Sequence, residues 1–167
     1  MKALKLIAFI GATSLLFMGC PYETKIPLDD PTKTKPDQGL VGKWVTNSDD
    51  EKDYEYHVKI DDNLYSIEKV DLKNGGDPTK YKGFISTVGG QTFLSIYEES
   101  TYATDSVSYY IYRMIKKSND RVILDGVTDN ITETFTSAAD LRAFIQKNMN
   151  LSFFYNKDDH KALYRND

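Results

Sequence analysis

Tyr54-Glu55-Tyr56-His57-Val58-Lys59-Ile60 alternates an aromatic or aliphatic residue with a polar one. A period of two is the mark of a strand with one face buried and the other in water. Asp61-Asp62-Asn63 then turns the chain into a second such run, Leu64 to Val70, and Asn74-Gly75-Gly76-Asp77-Pro78 breaks it again. Further on, Tyr81 to Val88 and Gln91 to Glu98 flank Gly89-Gly90, the two-residue spacing of a tight hairpin. Val107 to Lys116 and Arg121 to Val127 flank a longer loop, Lys117-Ser118-Asn119-Asp120. Leu40 to Thr46 precedes the series and Ala162 to Arg165 closes it. Short strands at this spacing, joined by tight turns, predict an all-β fold: an up-and-down antiparallel meander of about eight strands.

One helix is expected before the last strand. Ser137-Ala138-Ala139-Asp140 reads as a helix start in which the Asp carboxylate takes the usual place of Glu. Leu141, Phe144, Ile145 and Met149 follow on one stripe, which predicts a helix packed on the barrel or plugging one end.

The chain of 167 residues opens with Lys2 and Lys5, then the apolar run Leu6 to Met18. That run is too short to span a bilayer, which takes about 20 apolar residues, and it has the build of a signal peptide. Gly19-Cys20 at its end resembles the lipobox of bacterial lipoproteins, although Phe17 and Met18 depart from the usual Leu and small residue. The resemblance implies a signal peptide over 1–19 and a diacylglycerol on the thiol of Cys20, the single cysteine of the chain. It implies membrane contact through the N-terminal lipid and a place in the cell envelope. Pro21, standing where an inner-membrane retention signal would carry Asp, points to the outer membrane of a Gram-negative cell. With its thiol acylated the chain has no disulfide to form, so its apolar core must hold it together.

Residues 20–38 hold four of the five prolines and are expected to form an extended tether, long enough to hold the domain about 50 Å from the anchor. The barrel domain is assigned to 39–167. Without Lys2 and Lys5 the chain carries 19 basic and 25 acidic side chains, a net charge of −6. This balance argues against a nucleic-acid partner, and a monomer is expected.

Gly42-Lys43-Trp44 at the first strand, followed by a β meander, resembles the Gly-x-Trp signature of lipocalins, and more closely the lipocalin-like lipoproteins of Gram-negative bacteria. The resemblance covers about 39–167 and implies that the strands close into an up-and-down antiparallel β-barrel of about eight strands. It implies that Gly42 lets the first strand bend at the barrel base, that Trp44 plugs that base and that Arg165 packs over the indole. The helix departs from the classical lipocalin pattern, in which it follows the eighth strand.

An eight-stranded barrel either fills with side chains or holds one small ligand. The aromatic residues Tyr54, Tyr56, Phe84, Phe93, Tyr110 and Tyr112 are the candidate lining, suited to a small apolar or aromatic guest. The alternative is a filled barrel that docks a protein partner or serves envelope assembly. His57 and His160 lack the spacing of a zinc site, and Asp158-Asp159-His160 reads as a solvated loop of charges. Glu98-Glu99 and Asp49-Asp50 read as surface turns. No phosphate-binding loop, nucleophile motif or catalytic cysteine is present. Neither a cofactor nor a metal is expected, and the reading is of a binding protein, not an enzyme.

Overall fold

The computed structural model describes residues 22–46, 54–99 and 107–166. Residues 1–19, expected to be a signal peptide, and Cys20, expected to be acylated, lie outside the described residues. Among the described residues nine strands run in chain order: β1 (Glu23–Thr24), β2 (Gly42–Thr46), β3 (Tyr54–Asp61), β4 (Leu64–Asp71), β5 (Thr79–Val88), β6 (Gln91–Glu98), β7 (Tyr109–Ser118), β8 (Arg121–Val127) and β9 (Tyr155–Arg165). From β2 to β9 each strand pairs antiparallel with the next, and β9 returns to pair with β2. The result is a closed, up-and-down, eight-stranded barrel with a lipocalin-like plan, and closure leaves its ladders without a long free edge.

Local chemistry explains the corners. The β5–β6 hairpin turns on Gly89 and Gly90, both at positive φ (54° and 80°), as a two-residue turn of this kind requires. Gly42, with φ 133°, stands where β2 leaves the base, in a conformation that favours glycine. The hairpin turns 61–64, 88–91 and 118–121 gather at one end, the base. The β4–β5 connection 71–79, the end of β6, the start of β7, the end of β8 and the start of β9 lie at the other end, the mouth.

The helix α1 (Ala138–Asn148) starts where the sequence places it. The Ser137 hydroxyl accepts from the Asp140 amide at 3.1 Å and donates to the Asp140 carboxylate at 2.7 Å. Its buried stripe, Leu141, Ile145 and Met149, packs on Val88, Phe93 and Ile111, on the outer wall of the barrel. It does not plug an end.

The tether is corrected by the structure. Residues 22–40 strap the barrel instead of standing away from it. The Tyr22 amide donates to the Val127 carbonyl at 2.8 Å, and β1 pairs with the first residues of β7, beyond the reach of β8. Leu28 is fully buried under α1, and Arg142 bonds both Asp29 (2.8 Å) and the Thr87 carbonyl (2.6 Å), joining strap, helix and β5. Thr34 reaches the Asn63 carbonyl, and Tyr65 bonds the backbone of Asp37, so the strap ends by closing the base. Pro31 serves a turn, opening a 3-10 turn capped by Asp30. Apolar residues spaced among the prolines (Tyr22, Ile26, Leu28, Leu40) give the segment a face to bury.

β9 also departs from expectation. It begins at Tyr155, so Asp158-Asp159-His160 lies in a strand, not a loop, and Asp159 is buried.

Candidate functional site

Inside the barrel the side chains of alternate residues converge on a cavity of about 710 Å³. Its floor is Trp44, only 2% exposed, whose Nε1 donates to the Leu40 carbonyl at 2.9 Å. Arg165, opposite Trp44 in the β2–β9 register, lays its guanidinium 4.6 Å from the ring centroid. The same guanidinium donates to the carbonyls of Gly39 (2.8 Å), Val41 (2.9 Å) and Asn119 (3.1 Å). It therefore ties the end of the strap to the β7–β8 turn beneath the indole. This geometry seals the base.

Above the floor the walls are aliphatic, with Val58, Ile67, Leu94, Ile96, Met114 and Leu124 among them, and six tyrosines (22, 56, 65, 81, 110 and 112) add phenol rings. Burial drives the Tyr56 and Tyr65 phenols up to about 12 and raises Tyr112 as well, with the neighbouring tyrosines adding to the effect at 56 and 112. All three are therefore neutral at physiological pH. The Tyr65 hydroxyl is spent on Asp37. Those of Tyr56 and Tyr112 make no hydrogen bond among the described residues, so both are free for a guest.

One polar spot interrupts the apolar wall. Lys161 on β9 contacts the Asp159 carboxylate and lies 5.1 Å from the Tyr112 ring centroid. Burial, and then the Lys69 ammonium, push the Lys161 amine down to about 8, while the Asp159 charge beside it works the other way. Gly126 makes this arrangement possible. A Cβ there would stand 2.3 Å from an Asp159 carboxylate oxygen, so the carboxylate occupies the space a side chain would take. Nearer the mouth the lining gains Glu23, Glu98 and Asp129, so Glu98 is not merely a surface turn residue.

Of the six aromatic residues proposed from sequence, Tyr56, Tyr110 and Tyr112 line the cavity. Tyr54 shares their face of the sheet but stands outside the lining, its ring under the Lys69 ammonium at 3.9 Å. Phe84 and Phe93 are corrections: they point out of the barrel. Phe84 pairs with Ser95 while Ile85 and Leu94 face inward, and Phe93 is buried against α1. This wall is apolar on both faces because the helix covers its outside, so aromatic character there does not mark the interior. Sequence reading missed Lys161 and Asp159. Counting by twos back from Leu163 along β9 would have put both on the inner face.

A second polar cluster sits on the outer wall. Asp125 accepts from Arg113 Nε (3.1 Å) and Nη2 (2.5 Å) and pairs with His160 Nδ1 at 2.7 Å, while Arg113 stacks on Tyr155 at 3.8 Å. Burial presses the Asp125 carboxyl up, but the bonds from Arg113 and His160 more than reverse this and hold it below the usual carboxylate range. Ser152 borders the same groove of about 540 Å³, but makes no hydrogen bond to His160, so the set lacks the nucleophile–base contact of a hydrolase. The cluster joins β7, β8 and β9 across their register.

No family model matches the chain, and no curated protein matches it. Among solved structures, the crystal structure of a DUF4909 family protein from Staphylococcus aureus subsp. aureus Mu50 is similar, with a TM-score of 0.52 over 78% of this chain and 100% of that one. At 16% sequence identity the likeness is one of fold.

Proposed function

We propose that this chain is a lipid-anchored protein of the cell envelope whose barrel holds one small apolar or aromatic molecule. The observation that carries the reading is the open interior. A cavity of about 710 Å³ falls within the roughly 300–1,000 Å³ of small-molecule sites. Its composition matches that use: a largely aliphatic and aromatic wall, the unspent hydroxyls of Tyr56 and Tyr112, and charged groups at Asp159 and Lys161 and toward the mouth to meet a polar end of the guest. An interior left open at this size weighs against the filled barrel that would serve only to dock a partner. The anchor rests on the N-terminal sequence, where a basic start, a short apolar run and Gly19-Cys20 stand in the order that acylation requires.

Native mass spectrometry of the protein extracted from its own membranes tests both halves at once. The expected spectrum shows a chain beginning at Cys20 with covalent acyl mass. It also shows a non-covalent adduct of a few hundred daltons that leaves on denaturation. A chain without acyl mass removes the anchor. A chain that carries no adduct and takes up no apolar probe removes the ligand.

A further inference from the structure

We propose that the acylated N-terminus holds the mouth of the barrel against the bilayer, so that the cavity exchanges its guest directly with the membrane. This rests on acylation of Cys20 in the reading above and adds an orientation and a source for the ligand.

The argument is one of chain length. Tyr22 is fixed: its amide bonds the Val127 carbonyl at 2.8 Å, its side chain is 9% exposed, and it lines the cavity. Two peptide steps separate it from Cys20, and at about 3.8 Å between successive Cα atoms the two Cα atoms lie within roughly 8 Å of each other. Whatever path those steps take, the acyl chains begin beside the cavity.

Glu23 and Thr24 then pair with Tyr110 and Tyr109, the mouth end of β7. From there β7 runs 10 residues to the base, which at about 3.3 Å per residue sets the base some 30 Å away. A lipid entering at the mouth end brings that end to the membrane and leaves the base, sealed by Trp44 and Arg165, facing away.

Two further features agree. Leu72, in the mouth turn between β4 and β5, is 46% exposed, an apolar side chain where the interface would receive it. The lining tyrosines near the mouth, Tyr81 and Tyr110, are of the amphipathic type that suits a boundary between water and lipid. A guest dissolved in the bilayer would then reach the cavity without crossing bulk water, where its apolar surface is costly to expose.

The experiment uses the full acylated protein in phosphatidylethanolamine–phosphatidylglycerol vesicles that contain a nitroxide-headgroup lipid. Acylation consumes Cys20, so a new cysteine takes a bimane label alone. Leu72→Cys reports the mouth and Asn119→Cys, in the exposed β7–β8 turn, reports the base. The expected result is quenching several-fold stronger at 72 than at 119. Equal quenching, or stronger quenching at 119, overturns the orientation while leaving the anchor standing. Protein that stays out of the vesicle fraction overturns the anchor itself, and the orientation with it.

Discussion

Trp44→Ala is expected to cost roughly 3–5 kcal/mol of unfolding free energy, the range for truncating a large buried aromatic side chain. The indole is 2% exposed, gives its only N–H to the Leu40 carbonyl and forms the face on which Arg165 rests. Removing it leaves a void at the floor, a carbonyl without its donor and a guanidinium without its ring. Arg165→Ala is expected to be costly too, because three backbone carbonyls lose a charged donor at once. Denaturant unfolding followed by circular dichroism measures both, together with the double variant. Side chains in contact should couple by about 0.5–3 kcal/mol. Strict additivity would mean that Arg165 acts only through its carbonyl bonds and that the stacked pair contributes nothing. Before mutation, the native fluorescence of Trp44, the single tryptophan, should be blue-shifted and shielded from aqueous quenchers.

The second large effect falls in the strap. Leu28→Ala is expected to destabilise the fold by about 2–5 kcal/mol, as for other fully buried leucines, since Leu28 is 0% exposed beneath α1. Were residues 22–38 a free tether, the same substitution would change stability by less than about 0.5 kcal/mol. The contrast makes this a sharp test of where the domain begins. It also bears on function, because the strap both closes the base through Asp37 and Tyr65 and fixes Tyr22 at the cavity.

Much of the barrel was legible in the sequence, for physical reasons that also mark where reading failed. Tyr54 to Ile60 has polar residues on its outer face, so alternation shows which side is buried, and β3 forms where the pattern says. Phe84 and Phe93 lie on strands buried on both faces, and there alternation carries no information. The helix that covers Phe93 was itself readable from Ser137, Asp140 and its apolar stripe. What could not be read was which wall it would cover.

Two other failures have simpler causes. Proline density outweighed the scattered apolar residues between Tyr22 and Leu40, although Pro31 acts at the start of a turn and not in an extended spacer. Charge density in Asn156 to Lys161 hid a strand whose inner positions carry Asp159 and Lys161. A polar pair inside a barrel is invisible to any rule that equates charge with surface. The openness of the interior lies beyond a sequence of this kind altogether, because it depends on how six tyrosines and their neighbours are turned.

That openness is the centre of the functional account, and it is tested most directly by titrating the purified protein with N-phenyl-1-naphthylamine, a neutral apolar probe that brightens when it leaves water. The account predicts saturable binding of one probe per chain. It also predicts loss of that binding in Ile96→Trp and Val58→Phe, which place added bulk in the cavity wall while circular dichroism shows the barrel intact. Absence of binding to the unaltered protein, or binding that persists undiminished in both variants, would contradict it.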